Sequence, residues 1–135
     1  MTAAVTLAMC EIGYVIANNV RGVPNSKSTV AFWLLAAAFA GPPLGIAAVW
    51  SRGFDPFRRG AGFGVPSGVL VGEGLYGLAR LTGSTSAAYW SVEVGLGVVA
   101  LAVVNERARS WRMAVSSTAV AVLTALVVYT AATMV

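Results

Sequence analysis

MAVSSTAVAVLTALVVYTAAT, running from Met113 to Thr133, holds no charged residue. A helix rises 1.5 Å per residue, so a stretch of this length matches the roughly 30 Å hydrocarbon core of a bilayer. The stretch is rich in Val, Ala and Thr and is expected to form a peripheral, lipid-facing helix E. Working toward the N-terminus, four further apolar stretches appear. Helix D is predicted over Ala87–Asn105, helix C over Ala61–Leu81, helix B over Thr29–Trp50 and helix A over Thr2–Val20. The breaks between them, 21–28, 51–60, 82–86 and 106–112, carry turn residues and most of the charge.

Composition points the same way. The chain has 135 residues, of which 58% are hydrophobic and 10% charged. A soluble domain is nearer one quarter charged. The expected fold class is therefore all-α, a polytopic transmembrane helical bundle of about five spans in one integral membrane domain over 1–135. The net charge of +4 does not mark a nucleic-acid partner, because the basic residues flank apolar runs and form no continuous stripe. Arginine outnumbers lysine eight to one in an Ala-, Gly- and Val-rich chain, which points to a high-GC bacterial source. One cysteine, Cys10, excludes an internal disulfide, and the lack of histidine argues against a zinc site and against Ser-His or Cys-His catalysis. No cofactor is expected. An intramembrane enzyme is the remotest of the functional options.

The N-terminal stretch is not a signal peptide by pattern. It lacks a basic n-region, Glu11 interrupts its apolar run, and Met9 is too large for the position before a lipidated Cys10. Helix A starts abruptly, which suggests a piece of a longer protein.

Loop charges give an orientation. Arg52, Arg58, Arg59, Arg107, Arg109 and Arg112 lie on one side, against Arg21, Lys27 and Arg80 on the other. The richer side is expected to be cytoplasmic, with the N-terminus inside and the C-terminus outside a bacterial inner membrane. Trp33, Trp50, Tyr89, Trp90 and Trp111 fall at predicted helix ends, where aromatic rings favour the interface.

Three carboxylates interrupt the spans: Glu11, Glu73 and Glu93. Counted along their helices, all three lie about 9 to 14 Å below the outer helix ends, in one layer. A charged side chain at such depth costs about 2.5 to 3.5 kcal/mol on insertion scales and faces a bundle interior or a water-filled cavity. Tyr14 and Tyr76 each follow a glutamate by three residues and share its helix face. The candidate ligand-binding set is therefore Glu11, Tyr14, Glu73, Tyr76 and Glu93, for a proton, a cation or a small polar solute. The alternative is structural: each carboxylate bonds to one neighbouring helix and only joins the bundle.

Two patterns concern packing. Gly60, Gly64, Gly68 and Gly72 recur every four residues on helix C, and Ala37, Gly41 and Gly45 do so on helix B. Small residues at this spacing let helix backbones approach closely, and they place helix C centrally. Pro42, Pro43 and Pro66 lie inside predicted helices, where kinks are expected. A shared order of Glu, Tyr, Ala, Arg, Ser-Thr, Ala, aromatic and Trp links the A–B region (Glu11 to Trp33) with the C–D region (Glu73 to Trp90). It suggests two diverged hairpins plus a C-terminal helix.

Glu11-Ile-Gly-Tyr14, Arg21-Gly-Val-Pro24, Phe32-Trp-Leu34, Ala40-Gly-Pro42, Gly72-Glu-Gly-Leu-Tyr-Gly77 and Tyr89-Trp90 with Glu93 resemble an uncharacterised family of small multi-pass membrane proteins from actinobacteria. The resemblance covers helices A to D. It implies a bacterial membrane location and one or two further N-terminal helices, and it implies no activity. Expected partners are the lipid bilayer, a small polar solute or cation, and a second copy or another membrane subunit.

The orientation has a direct check. Cysteines placed at Phe57 and Ser110 are expected to be shielded from an impermeant thiol reagent in intact cells, while one at Asn25 reacts. Labelling at Phe57 without labelling at Asn25 reverses the topology.

Overall fold

The computed structural model describes residues 2–24, 26–83, 85–108 and 110–134, apart from the side chains of Thr2, Thr29 and Phe32. Asn25, Ser84 and Arg109, which carried parts of the orientation and repeat arguments, lie outside the described residues. The fold is an all-α helical bundle of five helices: α1 Thr2–Val20, α2 Lys27–Ser51, α3 Pro56–Arg80, α4 Ala87–Glu106 and α5 Trp111–Thr133. α1, α2, α4 and α5 each contain a segment long and apolar enough to cross a membrane. α3 is 25 residues long, but its glycines and its first-turn Arg58 and Arg59 lower its apolar content.

Local chemistry explains the boundaries. α1 stops where Gly22 takes a φ of 72°, a left-handed conformation that only glycine adopts cheaply. There the Val23 amide bonds Asn18 O at 2.9 Å and the Gly22 amide bonds Asn19 O at 3.1 Å, the paired closure of a Schellman motif. α3 begins five residues before its expected start. Asp55 caps it, accepting from the Phe57 amide at 3.1 Å, and Pro56 supplies a preset φ at the first helical position. Phe57, Arg58 and Arg59 are therefore helical, not loop. Ser86 and Ser110 cap α4 and α5 in the same way. α2 runs through Pro42 and Pro43, and α3 through Pro66, as unbroken helices.

The chain divides into two compact units, Met1–Ile46 and Ala47–Val135. In the first, α1 and most of α2 form an antiparallel hairpin. Gly41 lies directly against Ala4, where an added Cβ would fall about 2.6 Å from the Ala4 nitrogen. In the second unit α3 is the central element. It packs most extensively on α5, next on α4, while α4 and α5 touch each other less.

The α3–α5 seam is parallel and is built on the four-residue glycine period. Gly60 meets Met113 and Ser116, Gly64 meets Ser117 and Val120, Gly68 meets Ala121 and Thr124, and Gly72 meets Ala125 and Val128. A Cβ at Gly68 would sit 2.7 Å from Thr124 Cβ and 3.0 Å from Ala121 Cα. This corrects one expectation. Val115, Val122, Leu123, Leu126 and Val127 are exposed on α5, as a lipid-facing helix requires. The Ser116/Ser117/Ala121 face of α5, however, is buried and forms the partner of the ridge.

Buried hydroxyls in the second unit are satisfied locally. Ser67 bonds Phe63 O, Ser116 bonds Met113 O and Ser117 bonds Ala114 O. Ser117 also donates to Asn105 Oδ1 at 2.6 Å, and Asn105 donates to Thr118 Oγ1 at 3.0 Å. Asn105 thereby ties the end of α4 to the start of α5.

Gly68→Ala is expected to destabilise the protein in detergent by about 1 to 3 kcal/mol, since the new methyl collides with backbone. Val122→Leu, at a site 53% exposed, is expected to leave the melting temperature unchanged. Equal behaviour of the two variants removes the ridge from the centre of the second unit.

Candidate functional site

The second helix contact in that unit, between α3 and α4, is antiparallel. Gly97 sits where a Cβ would lie 2.8 Å from Val71 Cγ2 and 2.9 Å from Ser67 O. Gly74 sits where one would lie 2.7 Å from Val94 Cγ2 and 3.1 Å from Trp90 O. At the far end the Trp90 indole lies flat in the place that a side chain on Gly77 would fill. Trp90, expected at a helix end, stands in the first turn of α4 and also takes part in the seam. Gly77 has no side chain, so it opens a slot in the seam, and Trp90 fills it. Tyr89 remains 58% exposed and meets Trp90 edge-on, with ring centroids 4.8 Å apart.

Glu93 stands three residues after Trp90 and four before Gly97, on the stripe that faces α3. Glu73 immediately precedes Gly74, the residue pressed against Trp90 and Val94. The two carboxylates are electrostatic neighbours. Depth agrees: Glu73 lies seven residues before the end of α3 and Glu93 six after the start of α4, about 9 to 11 Å along each helix. Glu73 is exposed, while Glu93 and Tyr76 are partly buried.

Two atoms of this face stand apart from the satisfied polar groups around them. Trp90 Nε1 and Glu93 Oε2 are buried and have no hydrogen-bond partner among the described residues. One is a donor and the other, when ionised, an acceptor. A buried polar group left unpaired costs about 1 to 3 kcal/mol, so two on one helix face are an expensive feature.

Of the five sequence-predicted residues, the structure thus brings Glu73 and Glu93 together, with Tyr76 one turn along α3. Glu11 and Tyr14 lie on α1 in the first unit, Glu11 partly buried and Tyr14 61% exposed. Sequence reasoning missed Trp90 as a member of the face. The signal was available, since Trp90 and Glu93 are spaced three apart in a predicted helix. Two cavities among the described residues have linings that do not include these carboxylates. One, of about 420 Å³, lies in the first unit and is lined by Val15, Asn19, Lys27, Val30, Ala31 and Leu34. The other lies at the opposite end of α3 from Glu73.

A family of unknown function, DUF6518, matches the chain over residues 1–135. The chain belongs to this family. No curated protein and no solved structure matches it. Membership in DUF6518 agrees with the resemblance to an uncharacterised family and supplies no activity, so any role for the α3–α4 face rests on its own geometry.

If Glu73 and Glu93 act as a pair, Glu73→Gln and Glu93→Gln are expected to couple by more than about 0.5 kcal/mol in a double-mutant cycle on thermal stability. Additive effects make them two independent surface groups.

Proposed function

We propose that this DUF6518 protein is a multi-pass protein of the bacterial cytoplasmic membrane that handles a proton, a small cation or a small polar solute at the α3–α4 face. All five helices cross the bilayer in this reading, with the N-terminus inside and the C-terminus outside. Support for a crossing α3 comes from its pairing along most of its length with α4 and α5, both apolar enough to span. A helix covered on two sides needs less apolar surface of its own.

The observation that carries the reading is a pair of unpartnered groups three residues apart on α4, the Glu93 carboxylate oxygen and the Trp90 indole N–H, with Glu73 in electrostatic range. A polar ligand can accept from the indole N–H, and a proton or a donor group can satisfy the carboxylate oxygen. Two adjacent carboxylates in a low-dielectric setting repel, and a proton or a cation between them relieves that repulsion. Glu73 and Glu93 are the binding groups, with Trp90 and Tyr76 as orienting hydrogen-bond partners.

A non-transporting scaffold or accessory subunit is the second reading. It is favoured by the exposure of Glu73 at membrane depth, which a neighbouring subunit would cover, and by two cavities whose linings contain no carboxylate.

Liposomes separate the two. With purified protein reconstituted in vesicles, collapse of an imposed proton, sodium or potassium gradient is expected to exceed that of protein-free vesicles. Glu93→Gln is expected to abolish the excess. Trp90→Phe removes the orphaned donor but leaves part of the Gly77 slot unfilled, so the two effects offset and thermal stability is expected to change by no more than about 1 kcal/mol while flux slows. Wild-type flux equal to that of empty vesicles for all three ions, with no thermal shift from polar solutes, leaves the scaffold reading in place.

A further inference from the structure

The larger cavity, about 710 Å³, opens at the end of the second unit where α3 and α5 begin and α4 ends. Its lining divides by chemistry. Phe63, Val104 and Met113 give it an apolar wall, while Arg59, Arg107 and Ser110 give it a polar one. Arg59 lies in the first turn of α3, Arg107 at the end of α4, and Ser110 is the cap of α5. Neither guanidinium forms an ion pair among the described residues: the ion pair at this end joins Arg58 to Asp55 at 3.6 Å. The amino ends of α3 and α5, both at this end, carry the positive pole of the helix dipole.

The surroundings fix the level of the cavity. Phe54 is 103% exposed, Trp111 72% and Phe57 58%, three large rings turned outward at one end of the unit. A Trp ring favours the headgroup layer, which places Trp111 and this end of the unit there. Arg52, Arg58 and Arg112 add further positive charge there, and Asp55 and Glu106 are the acidic residues of the same segments. The cavity thus has a basic and an apolar part to its lining, beside exposed aromatic rings.

We infer that this cavity is a binding site for an anionic phospholipid, with the headgroup phosphate between Arg59 and Arg107 and acyl-chain carbons against Phe63, Val104 and Met113. A free phosphate would use the guanidinium groups and the helix ends but leave the apolar wall unoccupied. A zwitterionic lipid would fill the wall but bring its own cation to the arginines. An anionic lipid matches both halves, as in basic pockets between helices at the cytoplasmic side of membrane proteins. The site is separate from the α3–α4 carboxylate face, so it stands or falls independently of the function proposed there.

The test uses the full chain in detergent, with phosphatidylglycerol, phosphatidylcholine and inorganic phosphate as probes. Native mass spectrometry reads bound lipid, and thermal unfolding reads stabilisation. Wild type is expected to retain phosphatidylglycerol over phosphatidylcholine by roughly thirtyfold, in line with two basic contacts. Arg59→Gln/Arg107→Gln is expected to erase that preference, and Arg52→Gln/Arg112→Gln to keep it. Val104→Trp fills the apolar wall without touching a guanidinium, and is expected to reduce retention of both lipids. Equal retention of the two lipids by wild type overturns the inference even if the Arg59/Arg107 variant does not fold. Equal loss of preference in the two arginine pairs also overturns it, by making the attraction diffuse. Stabilisation by phosphate equal to that by phosphatidylglycerol overturns the lipid assignment in favour of a soluble anion.

Discussion

Contact between the bare backbone of α3 and the small-residue face of α5 is what the second unit depends on. In a bilayer, apolar side chains gain little by leaving lipid for one another, so helices associate through close packing and hydrogen bonds. The Gly60, Gly64, Gly68 and Gly72 ridge supplies close packing over four turns, and Ser116, Ser117 and Ala121 are small enough to meet it. Ser117 is 0% exposed and yet costs nothing in unpaired polarity, because its hydroxyl bonds both Ala114 O and Asn105. Packing and polar satisfaction therefore coincide along this seam.

The α3–α4 seam has the same backbone economy but a different polar outcome. Gly74, Gly77 and Gly97 permit close approach, and Trp90 occupies the slot that Gly77 leaves. Next to this tight contact stand an indole N–H and a carboxylate oxygen with no partner among the described residues. The buried Ser67, Ser116 and Ser117 bond carbonyls of their own helices. Glu93 and Trp90 do not, and that contrast gives the α3–α4 face its claim to a role beyond holding two helices together.

The two ends of the second unit also differ in charge. Arg59 and Arg107 line a cavity at one end, while Arg80 stands at the other, about two turns beyond Glu73. Positive charge, exposed rings and two helix amino ends meet at one end of the second unit. Glu73 and the arginine-lined cavity lie toward opposite ends of α3.

Much of this was readable from sequence because lipid imposes a simple rule: length and continuous apolarity define a spanning helix. α1 was read to its end residues, and α2, α4 and α5 to within two. The start of α3 was missed because Phe57, Arg58 and Arg59 read as loop charge, although Asp55-Pro56 carries a cap and first-turn signal. The glycine ridge was legible as a period, and with it the central place of α3. Its partner was not, because Ser116, Ser117 and Ala121 look unremarkable among the other small residues of α5 until a ridge is set against them. The similar level of Glu73 and Glu93 along α3 and α4 followed from a short turn between antiparallel helices. That Trp90 would fill a glycine slot, and that Arg59 and Arg107 would share a cavity 48 residues apart in sequence, followed only from tertiary packing. Helix register around its axis and the choice of neighbour are set by side-chain fit between helices, and no single helix carries that information.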